Sequence, residues 1–538
     1  MATTGRSERP SRKRRAEPGE GQGASSPDLL GRAQLRHVLA VAVVCAVVPP
    51  SAHAQRWTIE PGISSQLTWT SNSLLGTGSA QDDTIFEIRP RITIRGEGAR
   101  LRVSGTAALN GVAYLGGTQP SRVLPEGDLG ARLEAVERWL YLEASARATQ
   151  TGSDPFGVRP DPGTTANTLT TTQGRFSPVI EAPISPLMRY RIRSDNIWTN
   201  QSYADSSTAS TAPGAAGYFG QHTAMIEQDP RPLGWRLEAE RDETRYRDGV
   251  TTPLVTELAR LVVDYAVSDE LALGVRGGYE RNNYLIGDGH NTIYGGQAKW
   301  RPSARTLLSA DGERHFFGSA WRLGFDHRTP QLAFSLALSR GVQSTPQSLF
   351  QVPATGNVAA LLDAMFTTRI PDPAERARVV QKLIADQGLP NATLGPTSIY
   401  SQRLSLVTAR GGSLGFIGVR NSLVLSAFDT RTEDVPDAAV LATGLANNNN
   451  RQYGGGLTFS HRLGVSVTLA ATLDWSRIRA LDPALPDKTT QRGARLQVNL
   501  QASPNTAAVL GVRYRKIDSN VAIPGREGTV YTGLDHRF

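Results

Sequence analysis

Arg89, Arg91 and Arg95 recur at alternate positions of the stretch "IFEIRPRITIRG", with Glu87 on the same side. In an extended chain, side chains two residues apart share a face. Three guanidinium groups would therefore stand in a row. Arg100 and Arg102 follow on the next segment, Arg189, Arg191 and Arg193 repeat the spacing in "PLMRYRIR", and Arg513 with Arg515 repeats it near the end. Fixed guanidinium groups on a wetted wall favour anions, and rings of charge are how pores select. The same residues can instead cross-pair with carboxylates such as Glu87 and Glu97 and brace the wall. Both uses are binding chemistry, and neither makes or breaks a covalent bond.

Signals for bond-making chemistry are missing. The sequence holds no H-E-x-x-H and no phosphate-binding Gly-Lys loop. Of the eight histidines, His37 and His53 lie in the first 54 residues. His315 and His327 stand near Glu313 and Asp326, an arrangement better suited to a wall or interfacial histidine than to an acid–base or metal site. The run Asn447–Asn450 lacks the spaced carboxylates that calcium wants. No catalytic residue, metal or cofactor is expected.

The arginines need an element to position them, and the alternation names it. Phe86, Ile88, Pro90, Ile92 and Ile94 form the opposite, apolar face of the first stretch. "VSVTLAATLDW" sets Val465, Val467, Leu469, Leu473 and Trp475 against Ser466, Thr468, Thr472 and Asp474. "QLAFSLALSR" and "RLQVNLQA" behave alike, the latter with Arg495, Gln497 and Asn499 on its polar side. Period-two segments with an apolar and a polar face are strands. We count about 22 of them, within a range of about 20–24, each long enough to cross a hydrocarbon core when tilted. Connections alternate short and long, the pattern of an outer-membrane barrel. The predicted fold is an all-β, transmembrane antiparallel β-barrel, with apolar faces toward lipid and arginines toward an aqueous lumen.

Composition and targeting agree. The segment "RHVLAVAVVCAVVPPSAHAQ" has a charged start, an apolar run Val38–Val48 and Ala52-His53-Ala54 before Gln55, the form of a secretory signal peptide over 36–54. Residues 1–35 read as a disordered basic extension or an over-extended start. The sole cysteine, Cys45, lies in the apolar run, so the exported chain is stabilised without disulfides. The whole chain carries 58 Lys+Arg and 49 Asp+Glu. Eight basic and four acidic residues belong to the first 54, leaving 50 − 45 = +5 for residues 55–538. That modest excess in an exported chain argues against nucleic acid as a partner. The implied partners are outer-membrane lipid and the barrel-assembly machinery.

One long connection, 342–398, breaks the strand pattern. Asn357 precedes Val358, Leu361, Leu362, Met365 and Phe366, a helical stripe. "DPAERARVVQKLIADQG" then offers Asp372 as cap, Pro373 at the first turn and Gly388 as stop, with Val380, Leu383 and Ile384 on one face. Two amphipathic helices in an external loop need an apolar surface. Packing over the mouth, entry into the lumen as a lid or plug, and docking of a partner all supply one. At the end of the chain, Tyr531, Gly533 and the terminal Phe538 fit a C-terminal barrel-assembly signal, with His536 where an apolar residue is preferred.

Several of these stretches resemble a known family. "GVRGGYERNNYL", "KWRPSARTLLSADGERHFFG", "LGFDHRTP", "LLDAMFTTRIPDPAERARVVQKLIADQGLP" and "NSLVLSAFDTRTE" are similar to the PEP-CTERM system-associated outer-membrane proteins. The resemblance spans roughly Arg56 to Phe538. It implies an outer-membrane β-barrel of a Gram-negative bacterium, associated with exosortase and exopolysaccharide loci, and brings no catalytic motif. The function it implies is a pore or conduit for an anionic or neutral exopolysaccharide, working with periplasmic export components. The alternatives are a non-transporting structural or assembly barrel that binds surface polymer or a secreted partner, and, more remotely, a polymer-modifying enzyme.

Overall fold

The computed structural model describes residues 56–538 except 153, 155, 160–166, 204–215, 247–251, 284–288, 345–346, 349–356, 368, 391–392, 398–403 and 436–448. The expected extension at 1–35 and the expected signal peptide at 36–54 lie outside the described residues.

Alternating sequence has become strand throughout. The first eight are β1 (Arg56–Thr70), β2 (Asp83–Glu97), β3 (Leu101–Tyr114), β4 (Arg122–Val136), β5 (Leu140–Thr151), β6 (Leu169–Pro183), β7 (Met188–Tyr203) and β8 (Ala216–Gln228). Then come β9 (Leu233–Tyr246), β10 (Leu254–Ala266), β11 (Leu271–Asn282), β12 (His290–Ser303), β13 (Thr306–His315), β14 (Gly318–Arg328) and β15 (Leu332–Gln343). The last seven are β16 (Ser405–Ile417), β17 (Asn421–Asp434), β18 (Asn450–Arg462), β19 (Val467–Ala480), β20 (Lys488–Ser503), β21 (Thr506–Ser519) and β22 (Gly525–Arg537). Each pairs antiparallel with its sequence neighbours, and β1 pairs with β22 from Gly62↔Arg537 to Thr70↔Thr529. That last ladder closes a 22-stranded barrel. Closure satisfies the backbone polar groups without leaving an edge, which lipid requires.

The faces fall as the alternation demands. Phe86, Ile88, Ile92, Leu237, Leu473 and Leu496 are large apolar side chains left exposed on the outer wall. In water such a wall would be a severe cost, and in a bilayer it is the wetted surface. Trp57, Trp139 and Trp300 are exposed near one rim, while Trp69, Trp198 and Trp475 are exposed toward the other. These are the two aromatic girdles of a membrane barrel. Trp139 Nε1 donates to the Tyr190 hydroxyl at 2.9 Å, so its ring is held while it faces lipid.

The tight turns, including 98–100, 329–331, 418–420 and 463–466, gather with one exception at the rim that also holds Phe538, whose amide donates to the carbonyl of Pro61. The longer connections sit at the other rim, with one exception. β13 and β14 are joined there by Phe316 and Phe317 alone. The connection after β3 ends by Arg122, where β4 begins.

The long insert leaves from Gln343 and returns at Ser405. Its two helices are α1 (Val358–Phe366) and α2 (Pro373–Gln387). Asn357 caps α1, its side chain accepting from the amide of Ala360 at 3.1 Å. Gly388 ends α2 in the left-handed region at φ +60, which glycine adopts without strain.

Candidate functional site

The helices lie inside the barrel. Val358, Leu361, Leu362, Met365, Val380, Ile384 and Leu389 form one buried cluster with Ala333 of β15 and Val424 of β17, and Phe366 and Leu383 pack on its margin. Ala333 and Val424 share the inward parity of Ser335, Ala337, Ser422 and Ser426, so the cluster sits on the lumen wall. Gly415 makes the fit possible, since a Cβ there would come within 2.8 Å of the Leu361 side chain. Polar contacts complete the docking. Ser460 Oγ donates to the carbonyl of Gln387 at 2.5 Å, and Thr468 Oγ1 donates to that of Asp386 at 2.9 Å.

Ala333 and Thr468 stand beside the tight turns. The insert therefore enters from the long-loop rim and descends nearly to the opposite end. It then climbs back along β18, where the Thr397 amide donates to Gln452 Oε1 at 2.8 Å and Gln452 Nε2 donates back to the Thr397 carbonyl. Of the three dispositions open to these helices, entry into the lumen is the one adopted.

A second segment meets it. From β5 the loop through Phe156, Gly157, Val158 and Arg159 reaches across to β20 and β21. Thr489 Oγ1 donates to the carbonyl of Phe156 at 2.7 Å, and Gln491 donates to that of Gly157 at 2.9 Å. Val158 packs with Leu75 and Ile517. Arg159 donates to the carbonyl of Gly395 at 2.6 Å and stacks over Phe428. Desolvation pulls its guanidinium down to about 10, against the opposing charge of Asp474, so it stays cationic at neutral pH.

Open chambers remain on both sides of this contact among the described residues. The turn-side chamber, about 670 Å³, is lined among others by Gln66, Asn110, Gln497, Asn499, Tyr531 and Lys382 of α2. The loop-side chamber, about 990 Å³, lies under the Arg159 segment and the returning insert. Both are bordered by Arg495 and Arg513, which mark their junction. Glu87, Glu126, Asp386 and Asp535 also line the turn-side chamber, whereas the polar part of the loop-side lining is amides, hydroxyls and guanidinium groups with Asp474 as its carboxylate, set among Val158, Leu394 and Phe428. Such a surface matches an anionic, hydroxyl-rich solute.

The arginines named from sequence face the lumen but do not act as one patch. Arg89 pairs with Glu126 at 2.6 Å, Arg91 with Asp535, and Arg95 with Glu60 at 3.8 Å. Arg100 pairs loosely with Glu137 at the rim, and Arg102 has no ion pair with a described residue. Arg189, Arg191 and Arg193 pair with Glu227, Glu181 and Glu143 in turn, on a stretch of wall separated from β2 by four strands. Arg513 and Arg515 share Glu527, which is buried and also accepts from Thr70 Oγ1 at 2.7 Å across the closing seam. Bracing of the wall is thus the dominant geometry. Only Arg89 and Arg513 also border the turn-side chamber.

Arg495 is the residue whose role the sequence concealed. It faces the lumen, touches both chambers and forms no ion pair with a described residue. Its place on the polar side of "RLQVNLQA" was the available signal, but one arginine among glutamines and asparagines does not stand out.

The histidines take wall roles. His315 lies 2.7 Å from Glu280 and 3.2 Å from Glu313, and Glu313 is held by Arg260 and Arg276. His327 meets Thr306 Oγ1 at 2.9 Å. Among the described residues no cluster of His, Cys, Asp and Glu is fit to hold a metal ion. Tyr531 and Gly533 turn into the lumen, Tyr531 donating to Gln497 at 3.0 Å, whereas Phe538 shares parity with the outward Val530 and Leu534.

No known family model matches the chain, and neither does any curated protein. Similar solved structures include the siderophore receptor PirA from Acinetobacter baumannii, at TM-score 0.44 and 10% identity over 89% of this chain and 80% of that one. The ferric-catecholate import receptor Fiu from E. coli K12 gives 0.46 and 9% over 89% and 81%. The siderophore receptor PiuA from Acinetobacter baumannii gives 0.44 and 7% over 89% and 82%.

Proposed function

We propose that this chain is an outer-membrane conduit for an anionic, hydroxyl-rich solute, with extracellular polysaccharide as its substrate class. The observation that carries this reading is the pair of chambers meeting at Arg495. Amide and hydroxyl side chains there offer the paired donors and acceptors that sugar hydroxyls need, and the Arg495 guanidinium, which has no ion pair with a described residue, supplies the preference for carboxylate or phosphate. The insert acts as a lumen plug that narrows the path. The sequence resemblance to exopolysaccharide-associated barrels points to the same substrate class, and with it to periplasmic export partners.

A second reading has its own support. The Arg159 segment and the returning insert cross the loop-side mouth, and most lumen arginines are already neutralised by carboxylates. A barrel arranged in this way can serve as a structural or assembly component that holds polymer without passing it.

Single-channel recording of refolded residues 55–538 in a planar bilayer separates the two. Discrete steps with anion preference, blocked by uronate-rich oligosaccharide, are the expected result. A folded barrel that gives no steps yet binds the oligosaccharide would replace the conduit with the structural reading.

A further inference from the structure

The outer wall of β17–β21 carries a pattern that a lipid-facing surface does not need for itself. Arg431 lies directly opposite Arg451, Arg451 opposite Arg479, and Arg479 opposite Lys488, a row of four cations across four adjacent strands. Arg492 lies opposite Lys516 one strand further on. Like charges directly opposite in a sheet are destabilising.

All of these side chains have outward parity, because their neighbours Asn450, Gln452, Ser476, Ile478, Gln491 and Arg515 point into the barrel. Carboxylates answer only part of the charge. Asp429 pairs with Arg451 at 2.7 Å, Glu433 with Arg431 at 2.7 Å, and Asp518 with Lys516 at 3.1 Å. Arg477, Arg479 and Lys488 have no ion pair with a described residue. Arg477 is steadied by Thr490 Oγ1, to which its Nε donates at 3.0 Å.

Lys488 at the end of the row, with Arg477 and Arg492, borders a groove of about 450 Å³ lined also by Thr490, Asp518 and Asn520. It opens at the long-loop end of the wall. On the same face, toward the turns, stand the exposed Leu473, Trp475, Leu496 and Tyr514. Apolar wall, aromatic girdle and cation groove thus follow one another along the strands in the order of acyl chain, interface and headgroup.

We propose that this face binds a phosphorylated glycolipid of the outer leaflet, its phosphates in the groove and its acyl chains along Leu473 and Leu496. The proposal rests on the outer-membrane placement of the barrel and is independent of what the lumen carries. A phosphate monoester accepts several charge-assisted hydrogen bonds, and guanidinium groups are the side chains that meet it two-pronged. Binding here would also relieve the like-charge row that the sheet holds open.

The test uses the full exported chain in detergent, with bisphosphorylated lipid A, dephosphorylated lipid A and phosphatidylglycerol as probes read by native mass spectrometry. Bisphosphorylated lipid A is expected to remain bound, and removal of its phosphates to weaken binding at least about tenfold, in keeping with the loss of charge-assisted bonds. The triple variant Arg479→Ala, Lys488→Ala, Arg492→Ala is expected to lose the same preference. Equal retention of the dephosphorylated lipid, or of phosphatidylglycerol, would overturn the proposal. So would a folded triple variant, shown by its heat-modifiable gel mobility, that keeps full discrimination. The comparison of lipids on the unaltered chain decides the matter even if the variant does not fold.

Discussion

Arg159 Nη2 donates to the carbonyl oxygen of Gly395 at 2.6 Å, joining two connections that begin on opposite sides of the barrel mouth. One connection comes from β5 and the other returns from the lumen helices. The bond therefore fixes the height of the insert as well as the position of the crossing segment. Arg159→Ala removes it together with the contact on Phe428. The expected outcome is a noisier channel with longer open times, while the Arg159→Lys variant, which keeps charge but not the two-pronged fork, recovers only part of the quiet state. Unchanged current statistics in both variants would count against a role for this bond in gating.

The insert itself gives a larger effect. Its apolar stripe buries Val358, Leu362 and Val380 almost completely against β15–β17. Leu362→Ala should loosen the docked helices by about 2–5 kcal/mol, the usual cost of emptying such a site. Excision of residues 344–404, with β15 and β16 rejoined by a short turn, is expected to raise conductance by about twofold or more, because a 22-stranded wall encloses a wide lumen. Conductance that stays constant after excision would mean that the helices line the path without narrowing it.

The barrel was legible in the sequence because period-two alternation is a local signal, repeated in every strand from Phe86 to Leu496. The stripes of the two helices were legible for the same reason, and the start at Pro373 and stop at Gly388 fall where the residue types placed them. Their destination was not. Docking on Ala333 and Gly415 depends on small lumen residues twenty-five or more positions away in sequence, and a small residue on a polar strand face has no pattern of its own. The arginines show the converse limit. Their inward direction followed from parity, but their pairing with Glu126, Asp535 and Glu227 depends on strand neighbours and register. The β5 segment was invisible as a site, since Gly157 and Val158 acquire meaning only from Gln491 and Ile517 across the barrel.

Selectivity should be set by Arg495 more than by the arginines that are already paired. Arg495→Glu exchanges a cation for an anion where the chambers meet, and the reversal potential in a salt gradient is expected to change sign toward cations. Arg191→Glu, beside Glu181, removes a bracing pair instead and should impair folding with little effect on the selectivity of the molecules that do fold. A reversal potential equally insensitive to both changes would show that the permeating path avoids the junction.

Glu527 offers a test of the wall as a load shared across the closing seam. It is fully buried, accepts from Thr70 of β1 at 2.7 Å, and faces Arg515 at 2.7 Å and Arg513 at 3.5 Å. Removing one partner of such a group leaves charge without compensation, at about 3–5 kcal/mol. Glu527→Ala is therefore expected to lower the temperature at which the barrel unfolds in a heat-modifiability gel. Glu527→Gln keeps the acceptor for Thr70 but not the charge, and should fall between. Folded molecules of either variant present two less neutralised guanidinium groups beside Arg495, so their anion preference should rise as their stability falls. A loss of stability without that rise would place Arg513 and Arg515 outside the field that a permeating ion feels.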